Sequence, residues 1–343
     1  MRQIRKLMAK KGILLVNLGT PDSPEVKDVR KYLDQFLMDE RVIDISKLNR
    51  TLLVKGIIVP FRSPKTSKLY KKIWDEKGSP LLYYSEQQAK MLQDKLGSEY
   101  QVELAMRYQS PSIEGALENL KKGLVSSIKV IPLFPQYASA STGSVLQLVM
   151  ELLSKWPTIP PVSFVNSFHD NDLMLEIFAD NGRKHGVENY DHVLFSFHGL
   201  PQRQMTKSDH TGKYCLKVNN CCENYNNANK FCYSAQCHNT AKLLAEKLEL
   251  SRENYSVCYQ SRLGKEPWIQ PYTTDVLKKL AAEGKKRLLV FSPAFVADCL
   301  ETIYEITVEY NEEFKELGGE HVQLVESLNT DARFIEVLAE MSI

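Results

Sequence analysis

Short apolar runs alternate with helix-like segments along this chain, and this alternation restricts its fold more than any other feature. The apolar runs occupy residues 12–18, 102–108, 128–133, 162–165, 193–197, 256–259 and 287–291. Runs of this kind between glycine, proline and polar clusters indicate buried strands, and helices between such strands indicate a parallel sheet. The series restarts near residue 160, so the sequence predicts two successive sets of βα units.

These two sets predict an α/β protein with two doubly wound domains. At 343 residues the chain is also longer than one hydrophobic core usually supports. We place the first domain at residues 9–160 and the second at 161–321, and the strand and helix predicted in 322–343 could belong to either. Neither G-x-G-x-x-G nor G-x-x-x-x-G-K-S/T occurs, so no motif indicates nucleotide binding.

Charge and composition narrow the classes of function. The chain has 44 Lys and Arg against 42 Asp and Glu, which argues against a broad nucleic-acid surface. It contains no uninterrupted apolar stretch of the roughly 20 residues that a membrane-spanning helix needs. The basic residues 1–11 lead directly into a strand-like run without a signal-peptide cleavage site, which favours a cytoplasmic location.

Ionisable side chains follow two of the predicted strands. His198 closes the run 193–197, and the run 287–291 leads into a segment with the acids Asp298, Glu301, Glu305 and Glu309. Chemistry collects at the carboxyl ends of parallel strands, histidine titrates near neutrality, and close carboxylates attract cations and raise one another's pKa. The pattern therefore indicates a site that moves protons and binds a cation. The alternatives are a turn histidine and the solvated face of a helix.

Five cysteines lie close together in the second half of the chain. They are Cys215, Cys221, Cys222, Cys232 and Cys237. Four thiolates can hold a structural zinc ion or a [2Fe–2S] cluster, and in a reducing compartment both are commoner than disulfides. The absence of paired C-x-x-C motifs weakens the zinc interpretation, and the adjacency of Cys221 and Cys222 suggests that one of them is not a ligand. A reversible disulfide remains as the alternative.

The ordered motifs of the chain resemble those of ferrochelatases, which insert ferrous iron into a porphyrin at the last or near-last step of heme synthesis. The motifs lie at 17–21, 78–80, 107–108, 134–137, 141–143, 198–201, 259–262, 267–268 and 298–305. Together they cover nearly the whole chain. The resemblance implies two Rossmann-like, chelatase-like domains with parallel sheets flanked by helices, and a porphyrin cleft between them.

The resemblance also implies roles for particular residues. His198 and Glu301 would be the central pair, with His198 removing pyrrole protons or, in a competing view, holding the iron together with Glu301. Asp298 and Glu305 would continue a path for protons or metal. The implied porphyrin-binding residues are Asn17, Leu18, Ser79, Arg107, Tyr108, Trp268 and Phe295. Asn17-Leu18 favours protoporphyrin IX as the substrate, with coproporphyrin III as the alternative.

A cofactor and a membrane contact are implied as well. The cysteines resemble those of bacterial ferrochelatases with an internal [2Fe–2S] cluster, which would be held by Cys215, Cys222, Cys232 and Cys237, with Cys221 able to replace Cys222. Residue 299 is cysteine where some relatives have histidine, so a metal-relay role there is in doubt. Residues 48–61, with Arg50 and Lys55, resemble the apolar lip of the pocket and could rest on a membrane or simply pack on the sheet.

We therefore expect a metal-inserting lyase that takes Fe²⁺ and a porphyrin as substrates. A porphyrin-binding or metal-binding chaperone without turnover is the second hypothesis, and a redox-sensing module built on the cysteine loop is the third. The presence of both His198 and Glu301 favours the enzyme, because binding alone needs no proton acceptor.

Overall fold

The computed structural model describes residues 10–262, 264 and 266–343, so the basic residues 1–9 lie outside the described part. The chain divides into two compact units. The first contains the residues up to Leu133, Ser139–Asn166 and Ile335–Ile343, and the second contains Phe134–Ala138 and Ser167–Phe334. Each unit has a four-stranded parallel sheet with helices around it, which confirms the predicted α/β class.

The sheet of the first unit has the strand order β2-β1-β3-β4. Its strands are β1 (Lys11–Gly19), β2 (Tyr100–Tyr108), β3 (Ser127–Pro132) and β4 (Val162–Phe164). The middle of β1 is buried on both faces, as expected for a continuous apolar run in a parallel sheet. The run 162–165, which we assigned to the second domain, pairs instead with β3. Strands that follow one another in the sequence usually lie side by side in a sheet, and a helical segment connects β3 to β4.

Most of the last helix of the chain belongs to the first unit, and within its described residues this unit also contains six complete α-helices. They are α1 (Val26–Leu37), α2 (Lys47–Leu53), α3 (Val59–Ile73), α4 (Pro80–Leu96), α5 (Ile113–Lys122) and α6 (Ser144–Leu153). Helix α5 shows how the sequence sets such a boundary, since the Ser112 side chain accepts a hydrogen bond from Gly115 N and caps the helix. Short π-helical turns at Val54–Ile58 and Ser139–Gly143 were not predicted.

The predicted apolar segment 48–61 forms α2, a π-helical turn and the start of α3. Of the two alternatives left open for this segment, Arg50 does not support the membrane contact. Its guanidinium is buried and donates to the carbonyls of Ile43 (3.1 Å) and Ile45 (3.2 Å). These two carbonyls lie before the helix, so the arginine satisfies backbone groups there and is not available to a membrane surface.

The sheet of the second unit has the strand order β6-β5-β7-β8, the same arrangement as in the first. Its strands are β5 (His192–His198), β6 (Tyr255–Gln260), β7 (Arg287–Phe291) and β8 (His321–Leu324). Strand β5 is buried along its length until His198, its last residue, which is partly exposed. Strand β6 pairs with one edge of β5 and β7 with the other, so the order in which successive strands are added to the sheet reverses at β5.

The remaining helices are α7 (Asp172–Lys184), α8 (Gln202–Ser208), α9 (Tyr233–Lys247), α10 (Thr273–Ala282), α11 (Asn311–Glu316) and α12 (Ala332–Ser342). A π-helix at Leu300–Tyr310 precedes α11, where we predicted one regular helix. Helix α9 begins six residues before the predicted start at 239, because its first turns bury polar residues and a cysteine that break the apolar pattern. Across the described chain, no helix combines the length and apolarity required to span a membrane.

Candidate active site

His198 lies at the carboxyl end of β5, where the strand order reverses. In open α/β sheets this switch point is where ligands bind. The next residue must be glycine, since a Cβ at Gly199 would lie 2.7 Å from the carbonyl oxygen of Gln260 and 3.2 Å from the Trp268 ring. The same close approach lets Gly199 N donate to the Gln260 carbonyl at 2.8 Å. The His-Gly pair is thus held directly on the neighbouring strand.

The contacts of His198 decide which ring nitrogen can accept a proton. Its Nδ1 lies 2.8 Å from the carbonyl oxygen of Gly199. A carbonyl can only accept, so Nδ1 carries the hydrogen and the lone pair of the neutral ring is on Nε2. The Tyr233 hydroxyl donates to the His198 carbonyl at 2.9 Å and holds the backbone at this position. His198 therefore presents Nε2 as its basic atom.

The acidic residues follow β7, the other neighbour of β5. Asp298 is buried and accepts hydrogen bonds from Thr302 Oγ1 (3.0 Å) and Asn329 Nδ2 (2.7 Å). Thr302 also accepts from the backbone N–H of Cys299, which completes a cap at the start of the π-helix. Asp298 thus anchors the π-helix, a winding that recurs at functional sites.

Glu305 lies one turn into this π-helix and is held by β6. Its Oε2 accepts hydrogen bonds from Ser261 Oγ (2.7 Å) and Gln260 Nε2 (3.0 Å). Burial raises the pKa of Glu305 to about 8, and the nearby negative charge of Glu301 adds to this effect. Glu305 is therefore mostly protonated at neutral pH and ionises just above it.

His198, Glu301 and Glu305 are brought together by a residue that we did not assign to the site. Gln260 is paired with His198 in the β5–β6 ladder. Its Nε2 also donates to the backbone carbonyl of Glu301 at 3.0 Å, besides its bond to Glu305. The only sequence indication was its place in the motif 259–262 at a strand end.

The predicted porphyrin-binding residues of the first unit make internal hydrogen bonds. Asn17 Nδ2 donates to Ser85 Oγ at 3.1 Å, and the Ser79 hydroxyl accepts from Thr20 Oγ1 at 2.8 Å. Both Asn17 and Ser79 are buried, whereas Leu18 is half-buried. These contacts fix the end of β1 against the start of α4.

Arg107 and Tyr108, at the end of β2, are held by the buried carboxylate of Asp39. Asp39 Oδ2 accepts from Arg107 Nη2 (2.7 Å), from the Tyr108 hydroxyl (2.9 Å) and from Ser144 Oγ (2.5 Å). The guanidinium also lies over the Tyr108 ring, 4.7 Å from its centroid. Burial, with the charge of Asp39, raises the pKa of Tyr108 far above its usual range. Sequence reasoning missed Asp39, which follows a helix without any motif.

The two predicted apolar wall residues lie in the second unit. Trp268 is buried against Gly199, and Phe295 is half-buried just before the acidic segment. Trp268 therefore lies beside the switch point in space, and Phe295 lies close in sequence to the acidic residues.

Four of the five clustered cysteines line one small cavity. These are Cys215, Cys221, Cys222 and Cys232. The Sγ atoms of Cys221 and Cys222 lie 3.7 Å apart, and the neighbouring Cys215 thiol raises the pKa of Cys232. Within the described residues, no three His, Cys, Asp or Glu side chains are already arranged to hold a metal ion. Binding one would require the thiols to turn toward a common centre.

The fifth cysteine of the group, Cys237, is fully buried on α9 and is not part of the cavity lining. The loop that carries the others is shaped by Asp209, whose carboxylate accepts from the N–H groups of Tyr214 and Cys215, both at 2.9 Å. Asn229 Nδ2 donates to the Cys221 carbonyl at 2.8 Å. Polar side chains therefore keep four thiols around one space.

Comparison with known proteins points to one family. The model of the ferrochelatase family matches residues 10–343. The chain is 42% identical to the ferrochelatase of Legionella pneumophila strain Paris over 329 residues, covering 96% of this chain and 97% of that protein. It is 42% identical to the ferrochelatase of Coxiella burnetii strain Dugway 5J108-111 over 333 residues, 97% and 93% of the two chains.

Among solved structures, the fold is similar to that of SirB from Bacillus subtilis with Fe³⁺. The TM-score is 0.52 with 14% sequence identity, and the similarity covers 97% of this chain and 96% of SirB. At this level of identity, the similarity supports the fold alone.

Proposed function

The chain belongs to the ferrochelatase family, and we propose that it inserts Fe²⁺ into protoporphyrin IX to form protoheme, with release of two protons. It is accordingly an enzyme of heme synthesis, a lyase with ferrous iron and a porphyrin as substrates. The observation that supports the proposal is that Gln260 is paired with His198 in the β-ladder and is hydrogen-bonded to Glu301 and Glu305 of the acidic π-helix. A chaperone would need no such proton acceptor.

The two protons of the porphyrin nitrogens must leave as the dication enters. We assign their removal to His198 Nε2, because imidazole is the usual general base of enzymes that work near neutral pH. Glu301 would face the macrocycle and offset the charge of the incoming iron. Glu305, with its pKa of about 8, would exchange protons with the site. Asp298 would support this path by anchoring the π-helix, since its own oxygens are already hydrogen-bonded.

The test is an anaerobic assay of the purified protein with Fe²⁺ and protoporphyrin IX. We expect the porphyrin absorption spectrum to convert to that of heme, and conversion of coproporphyrin III to be at least about tenfold slower, a difference of about 1.4 kcal/mol in transition-state stabilisation. Faster conversion of coproporphyrin III would reverse the substrate assignment. Tight porphyrin binding without conversion of either compound would favour the chaperone.

We further propose that the cysteine loop holds a [2Fe–2S] cluster. The donor set fits, because four thiols surround one cavity and thiolates are the usual ligands of such clusters. Three cysteines both line the cavity and belong to the ligand set that the family resemblance implies, namely Cys215, Cys222 and Cys232. The cavity lining favours Cys221 over Cys237 as the fourth ligand, so both adjacent cysteines would bind, contrary to the expectation from the sequence that one of them is not a ligand.

A contact with a membrane surface is proposed for the segment that contains α2 and the start of α3. Its large apolar side chains are strongly exposed, with 70% for Leu48, 63% for Leu52 and 74% for Phe61. Such residues beside exposed lysines are typical of helices that lie in a membrane interface. A porphyrin is itself apolar, so a lipid surface would be a natural place of delivery.

We expect the protein to sediment with anionic phospholipid vesicles and the double variant L52E/F61E to bind at least about tenfold more weakly, since two exposed apolar contacts are lost. The matched variant Leu124→Glu changes another exposed leucine, outside this segment, and should bind like the parent. Equal loss in both variants, or no vesicle binding by the parent, would remove the proposal.

A further inference from the structure

Gln260 connects three elements of the second unit at the point where the candidate catalytic residues meet. It is the last residue of β6 and is 1% exposed. Its carbonyl accepts from Gly199 N at 2.8 Å, and its backbone is paired with His198. Gln260 therefore defines the position of the strand end that carries the imidazole.

The carboxamide of Gln260 extends this connection to the acidic residues. Its Oε1 accepts from the buried hydroxyl of Ser196 on β5 at 2.8 Å. Its Nε2 donates to the Glu301 carbonyl and to Glu305 Oε2, both at 3.0 Å. The Glu301 carbonyl and Glu305 Oε2 are both oxygens, so the NH₂ group of the carboxamide, and not its oxygen, must face them. Both N–H groups of Gln260 Nε2 are therefore used in hydrogen bonds.

We propose that Gln260 is a positioning residue that holds His198 on β5 in fixed geometry with Glu301 and Glu305 on the π-helix. The inference rests on the proposed function, because positioning has meaning only if these three residues act on one substrate. A buried amide with every hydrogen bond made cannot rotate without leaving polar atoms unpaired. Small displacements of catalytic groups lower rates strongly, whereas binding of a large apolar ring depends on area and changes little.

The test compares two replacements of Gln260 with a matched control. Gln260→Met keeps the volume and removes both donors, and Gln260→Glu keeps the shape but cannot donate to Glu301 or Glu305. We expect kcat to fall roughly 10- to 100-fold in both, with the KM for the porphyrin within about threefold of the parent. The control is Asn181→Leu, which removes two buried hydrogen bonds to the carbonyls of Glu326 and Ser327 in the same unit. It should lower the unfolding midpoint but leave kcat within about twofold.

A milder variant keeps the proposal testable if the Gln260 variants do not fold. Ser196→Ala removes the bond that orients the carboxamide, together with a longer contact to Thr273 Oγ1 at 3.4 Å, and we expect a loss of kcat of roughly threefold to tenfold with KM unchanged. Parental kcat in a folded Gln260→Met protein, or the same loss in Asn181→Leu, would overturn the inference.

A readout without turnover separates this inference from the proposed function. In ¹⁵N-histidine NMR spectra, assigned through His198→Ala, the His198 ring resonances should shift or broaden in Gln260→Met and stay unchanged in Asn181→Leu. Unchanged His198 resonances in Gln260→Met would overturn the positioning role. If the His198 resonances shift as expected in Gln260→Met but the parent protein inserts no iron, the proposed function is overturned and the positioning role is not.

Discussion

We expect replacement of His198 with alanine to lower the rate of iron insertion by roughly 10²- to 10⁴-fold, the usual contribution of a positioned general base. The physical reason is that the porphyrin must lose two protons, whose removal we assign to Nε2 of His198 because its Nδ1 contacts the Gly199 carbonyl at the switch point. Porphyrin affinity, measured by fluorescence quenching, should stay within about threefold, because a large apolar ring is bound mainly through its area.

The matched control for this variant is His192→Ala. His192 begins the same strand, is buried and contacts Ser256 Oγ at 2.9 Å, so its loss affects stability but not the site. We expect parental kcat there. Excess Fe²⁺ that restores the rate of His198→Ala would identify His198 as a metal ligand, whereas a rate independent of Fe²⁺ would support its role as the base. Full activity of His198→Ala would remove it from the mechanism.

Replacing Cys232 with serine should eliminate the cluster. The parent, purified anaerobically, should be brown and contain about two irons and two inorganic sulfides per chain, as a [2Fe–2S] centre requires. Cys232 lines the cavity and, unlike Cys221 and Cys222, has no adjacent cysteine in the sequence that could replace it. The variant should be colourless, with iron and sulfide near zero.

Three further variants sharpen this test. Cys258→Ser changes a fully buried thiol of β6, outside the loop, and should keep the colour. Cys221→Ser and Cys237→Ser decide the fourth ligand, and the cavity lining leads us to expect loss of the cluster only in Cys221→Ser. A colourless parent with one zinc per chain would contradict the cluster proposal outright.

The strands were predictable because each combines an apolar run with a clear end. Strand β7 has the predicted bounds, and β5 and β6 each extend one residue beyond the predicted run at both ends. The π-helix was not predictable, since its apolar spacing resembles that of an α-helix and its winding depends on Asp298 and Thr302 at its start. The pairing of β4 with β3 also depends on tertiary contacts.

Polar residues at strand ends could be proposed as site residues because parallel strands end at one edge of a sheet. Their partners could not. Asp39 and Gln260 are recognised only from contacts between elements far apart in sequence. The burial of Arg50 could not be predicted either, since the sequence allowed both a membrane contact and packing on the sheet, and only the free backbone carbonyls of Ile43 and Ile45 make burial favourable.

The division of the chain has a consequence for its synthesis. Ile335–Ile343 belongs to the first unit, and its Val337 and Leu338 are completely buried. A ribosome releases the N-terminal part of a chain first, and the leading domain usually folds first. Here the leading unit lacks part of its core until residues 335–343 have been made, whereas every residue of the second unit has been made by then. The second unit should therefore complete its fold before the first unit, although most of the first unit is synthesised earlier.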